Sequence, residues 1–141
     1  MMFSELDQYI SFFTGENFAL DYWYDEGVTI AQKFINAFQD GDWLSLEQAL
    51  PQRSIEWKCR LAYCLDDGNN MHQLTVLLLL SDTENSELIE CVVDSLREFV
   101  HNHHCKEQLS FTVLVERIKS MLPDLNPVAK KVFIDLLDSV N

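Results

Sequence analysis

The sequence predicts an all-α domain, and three observations carry that prediction. Apolar residues recur at helical spacing through the second half of the chain. Glycine and proline are scarce, at four and three in 141 residues, which disfavours a loop-rich or all-β fold. The chain is 48% hydrophobic despite a net charge of -13, so it can bury a core beneath a strongly acidic surface. Its length suits a single acidic helical domain spanning residues 1–141.

Taken in order, residues 4–13 form an amphipathic helix, and residues 14–27 are irregular or hold a short helix. Residues 29–38 are helical, with Ile30, Ala31, Phe34, Ile35 and Phe38 inward. Gly41 interrupts, Asp42 caps a short helix over 43–50, and Pro51 closes it. Residues 54–65 carry Ile55, Trp57, Cys59, Leu61, Ala62, Cys64 and Leu65, and end at the turn Asp66-Asp67-Gly68-Asn69. Residues 71–80 are apolar almost all round beyond Gln73, which marks a central, buried helix.

Asn85 or Ser86 caps the next helix, over 86–100, whose stripe is Leu88, Ile89, Val92, Val93, Leu96, Phe99 and Val100. A helix over 110–122 turns Phe111, Leu114, Val115, Ile118, Met121 and Leu122 inward, and Pro123 stops it. The last helix starts near Pro127, with the stripe Val128, Ala129, Val132, Phe133, Leu136, Leu137 and Val140. About seven helices are expected, the last five packed as antiparallel pairs. A shift of 40 residues lays Leu88, Ile89, Val92, Val93, Leu96 and Val100 on Val128, Ala129, Val132, Phe133, Leu136 and Val140. That is the period of HEAT and armadillo arrays, so a short HEAT-like α-α superhelix is expected, with an irregular helical bundle as the alternative.

Function has to be read from the surface. The longest apolar run, residues 76–80, falls far short of the ~20 residues of a membrane span, so no membrane is expected as a partner. The first residues, Met1-Met2-Phe3-Ser4-Glu5, lack the basic and apolar regions of an export signal. The cysteines, Cys59, Cys64, Cys91 and Cys105, form no Cys-x-x-Cys pair, and reduced thiols in the cytoplasm are expected. A net charge of -13 repels nucleic acid and attracts cations.

No catalytic residues are identified. Cys105 and its neighbours have the wrong spacing for a local Cys-His dyad, and no glycine-rich phosphate loop is present. The cluster His101-Asn102-His103-His104-Cys105 reads as imidazoles answering the carbonyls of a helix C-terminus, so neither a metal nor a cofactor is expected. The chain is not expected to be an enzyme.

Two acidic features stand out as partner-binding candidates. In Asp21-Tyr22-Trp23-Tyr24-Asp25-Glu26, aromatic rings that anchor interfaces are interleaved with acids that steer. The same segment also reads as a core plug, with Tyr22 and Trp23 inward and the acids solvated. Glu87, Glu90, Asp94 and Glu98 share one face of the 86–100 helix. Like charges at such spacing cost a helix about 0.2–0.5 kcal/mol per pair, a cost that a binding face would explain and a solvated face would merely tolerate. Residues 1–50 hold nine acids against one base, Lys33, so the negative charge is concentrated early; Arg53, Lys58 and Arg60 form the basic patch nearest to it.

With Glu56-Trp57-Lys58-Cys59-Arg60-Leu61-Ala62-Tyr63-Cys64-Leu65, the turn Asp66-Asp67-Gly68, and Glu87-Leu88-Ile89-Glu90-Cys91-Val92-Val93-Asp94-Ser95-Leu96, the chain resembles the immunity proteins of bacterial polymorphic-toxin and contact-dependent growth inhibition systems. The likeness spans residues 53–141 and is one of style rather than of a motif. It implies a cytoplasmic protein that binds and blocks one cationic toxin domain, often a nuclease at the C-terminus of a secreted effector. No catalytic residue carries over. Two other classes stay open: a helical-repeat adaptor for a basic or amphipathic peptide, and a nucleic-acid mimic that titrates a basic protein.

Overall fold

The computed structural model describes residues 1–14 and 22–140, and among these described residues the helix signals spaced along the chain become nine α-helices. They are α1 (Met2–Phe12), α2 (Val28–Asn36), α3 (Asp40–Ala49), α4 (Ile55–Cys64), α5 (Met71–Leu80), α6 (Ser86–Leu96), α7 (His103–Glu107), α8 (Leu109–Met121) and α9 (Pro127–Ser139). No strand occurs among the described residues, so the protein is all-α. No helix among them is long and apolar enough to cross a membrane. The chain divides into two compact units, Met1–Cys64 and Leu65–Asn141.

In the first unit α1 packs against α2, α3 and α4, and α2 also packs against α4. Leu6, Ile10, Phe13, Ala31, Ile35, Trp43, Leu46, Trp57 and Leu61 fill its core. Asp42 lies inside the helix it was expected to cap. The helix starts at Asp40, Gln39 is its cap residue, and Asp42 closes a reciprocal capping box from the third helical position. Its carboxylate accepts the Gln39 N–H at 3.0 Å and the Phe3 N–H of α1 at 2.9 Å, so one buried acid serves two helix starts. Those two bonds, Gln39 first, hold its carboxyl below the ordinary 3.8.

Residues 23–27 form a single π turn leading into α2. The turn drives Trp23 inward, where Phe13 meets its ring at 5.2 Å and the Arg60 guanidinium stands 5.6 Å from its centroid. A Cβ on Gly27 would lie 2.7 Å from that indole, so glycine is required for the ring to fit. Both arginines of this unit answer local groups. Arg53 makes a bidentate pair with Asp7 at 3.0 and 2.8 Å and covers Trp57, and Arg60 also donates to the Phe13 carbonyl.

In the second unit, Asn70, Asn85, Asn102 and Asn126 each cap a helix by accepting a backbone N–H with the side-chain oxygen. α5 is central as its composition predicted: Leu74, Val76, Leu77, Leu78 and Leu80 are buried, and only Leu79 of its leucines is exposed. α6 packs against both α5 and α9, so the two helices aligned by the 40-residue shift are neighbours in space. The stripe on α6 is buried as expected, but the helix ends at Leu96 rather than Val100. Residues 97–100 continue as tighter turns, with Glu98 and Phe99 donating to Ser95 and Leu96, three residues back. Phe99 and Val100 stay buried through that change.

The end of α6 meets the loop before α5. A Cβ on Gly68 would fall 2.1 Å from the Glu98 carbonyl oxygen, and Asn102 Nδ2 donates to the Gly68 carbonyl at 3.3 Å. This approach admits only glycine. Asn102 then starts α7, a helix that the periodicity does not announce.

Candidate partner-binding surfaces

The π turn splits the aromatic-acid segment between core and surface. Asp21 lies outside the described residues. Trp23 is 1% exposed, so it is a core residue and not the interface anchor that its setting allowed; the core-plug reading holds for it. Tyr22 and Tyr24 are about half exposed, at 47% and 48%, and Asp25 and Glu26 are exposed. Tyr22 is therefore no full plug, although its ring stacks on Phe13 at 5.6 Å. Tyr24 meets the ring of Tyr63, from α4, edge-on at 4.8 Å. Tyr63 is itself exposed and lies off the apolar stripe of its helix, the one sequence signal that could have pointed to it. The outcome is a small aromatic surface edged by acids.

The acidic stripe on α6 is also divided. Glu90 and Asp94, one turn apart, line a groove of about 520 Å³ between α6 and the first turns of α9. Its opposite wall is apolar: Pro127, Val128, Val132 and Phe133. Val128 was expected to point inward, yet it is 78% exposed and forms the lip of this wall. Glu87 is exposed in the first turn of α6 and does not line the groove. Glu98 lies beyond the helix end, in the turn against Gly68, so the four acids are not one continuous face.

The two groove acids differ in their partners. Asp94 pairs with Arg97, which also reaches Asp135 at 3.6 Å. Glu90 has no ion pair among the described residues. Asp94 therefore already holds one guanidinium, while Glu90 offers a carboxylate to an incoming cation. An apolar wall facing two carboxylates matches the two halves of a lysine or arginine side chain, a hydrocarbon stem and a cationic head.

A second groove, of about 280 Å³, lies between the end of α5 and α8, where Leu79, Leu109 and Val113 are exposed. Arg117 spans this region by donating to the carbonyls of Ser81 and Thr83, which fixes the chain after α5. Cys105 is fully buried, and burial pushes its thiol up to about 11, which favours the protonated form at neutral pH.

No protein-family model matches this chain, and no curated protein or solved structure is detectably similar to it.

Proposed function

We propose that this protein binds a cationic protein partner stoichiometrically, with the groove lined by Glu90 and Asp94 as the main contact. The single observation behind the reading is that groove: one carboxylate with no ion pair among the described residues and one paired, facing an exposed apolar wall, on a chain of net charge -13. A basic side chain laid along Val128 and Val132 buries its stem there and places its head at Glu90. The field of the whole chain speeds the encounter, while desolvated contacts in the groove set the lifetime of the complex.

The partner class follows from charge and from the resemblance noted above. A nuclease that binds phosphate backbones needs a basic cleft, and a folded acidic surface can occupy it. The proposed setting is therefore bacterial immunity: a cytoplasmic, non-enzymatic antitoxin that neutralises the C-terminal toxin domain of a secreted effector. The test is growth protection by this chain against basic nuclease toxin domains of secreted effectors, followed by association kinetics with the neutralised domain at two salt concentrations. Reversing Glu90 and Asp94 to lysine should abolish protection, slow association and flatten its salt dependence. Protection that survives both reversals would remove the groove from the reading. The adaptor alternative rests on the second groove, whose exposed Leu79, Leu109 and Val113 suit an amphipathic helix, and predicts binding indifferent to salt.

A further inference from the structure

His103 and His104 would answer carbonyls at a helix end if α6 ran on to Val100. It stops at Leu96, and the side chain of Asn102, not an imidazole, caps the helix that follows. The two histidines instead open α7, where three exposed side chains converge. Neighbouring residues on a helix do not ordinarily face each other. Here the imidazole rings of His103 and His104 lie 4.2 Å apart, with planes inclined at 38°. Glu107 brings a carboxylate oxygen to 3.5 Å from His104 Nδ1. One donor atom from each of the three lies within 4.8 Å of the other two.

We propose that His103, His104 and Glu107 form a surface site for a borderline divalent transition-metal ion, with Zn²⁺ as the reference case. Two imidazoles and a carboxylate are a known three-ligand zinc set, and such a set leaves a position for water. Tetrahedral donors at zinc distances stand about 3.4 Å apart, so shifts of little more than about 1 Å in exposed side chains close the present spacing. Calcium and magnesium are poorly served, because they require several oxygen donors and this cluster supplies one carboxylate. Cys105 is buried in the core and does not contribute. The acidic field of the chain raises the local concentration of any cation. All three ligands are exposed, so the ion is not needed for folding, and the site stands whether or not the partner reading does.

The experiment is calorimetric titration of the full chain with Zn²⁺ alone in a non-chelating buffer, with Co²⁺ absorption as the spectroscopic probe. The expected result is one ion per chain, and a Co²⁺ spectrum without the intense thiolate charge-transfer band. Binding should weaken more than tenfold in the His103→Ala/His104→Ala variant and by about tenfold in Glu107→Gln. Both variants should melt as the parent does, and Glu107→Gln keeps the test open if the double change perturbs α7. Absence of binding overturns the proposal. So does a thiolate band, or binding of equal strength and stoichiometry in the variants, which would put the ion at Cys59, Cys91 or the Glu90 groove.

Discussion

The two compact units carry nearly equal charge and use it differently. Residues 1–64 hold ten acids and four bases, and residues 65–141 hold thirteen and six. In the first unit conspicuous polar groups serve the fold: Asp42 caps two helices, Asp7 locks Arg53, and Arg60 lies over a buried Trp23. In the second, Glu90, with no ion pair among the described residues, lines an open groove with an exposed apolar wall. Clustered aromatics and acids along a sequence are therefore no sure sign of an interface. Trp23 shows how easily such a motif is core, and the plainer helix α6 lines the groove to which binding is assigned above.

The largest expected effect tests whether Trp23 belongs to the core. Trp23→Ala should cost about 3–5 kcal/mol in chemical denaturation, because it empties a fully enclosed site. A stable Trp23→Ala protein with weakened partner binding would reverse the comparison and restore the ring as an interface anchor. Next, Gly68→Ala should cost about 1–3 kcal/mol, since backbone rather than a flexible side chain meets the new Cβ. A neutral result would mean that the turn after α6 does not depend on that approach.

Asp42→Asn should have a smaller effect, and one that depends on pH. Its folded carboxyl is held below 3.8, so its contribution is fully present above that value and fades as pH falls through the lowered folded value. Wild type should be the more stable at neutral pH, and the two stability curves should converge in acid. Parallel curves would assign the capping to uncharged hydrogen bonding alone. Tyr63→Ala should have the smallest effect, within about 0.5 kcal/mol, because it alters a half-exposed surface ring. If it impaired partner binding, the aromatic surface of the first unit would gain the role assigned to the groove.

Much of the fold was legible from periodicity. The central place of α5, the buried stripe of α6 and the Pro127 start of α9 all follow from local pattern, because each helix's burial repeats with its own turn. The end of α6 was not legible. Phe99 and Val100 stay apolar and buried whether the chain there is α-helical or more tightly wound, so the stripe runs past the helix. The stop coincides with an approach to Gly68, thirty residues away in sequence, and no local pattern encodes it. The same blindness hid α7 and put His103 and His104 at the wrong helix end. For the candidate sites, the sequence singled out Glu90 and Asp94 correctly as neighbours on one face. It could not supply their apolar counterpart: Val128 reads as part of an inward stripe, and only the packing of α9 on α6 exposes it.

The most direct measurement is a map of the contact surface. Amide and methyl chemical shifts of the full chain would be followed while a basic toxin domain against which it protects growth is added at low salt. The perturbed residues should centre on Glu90, Asp94, Val128 and Val132, and the shifts should vanish in the variant carrying Glu90→Lys and Asp94→Lys. Perturbations centred on Tyr24 and Tyr63, with the groove silent, would contradict the assignment of the binding surface to the second unit.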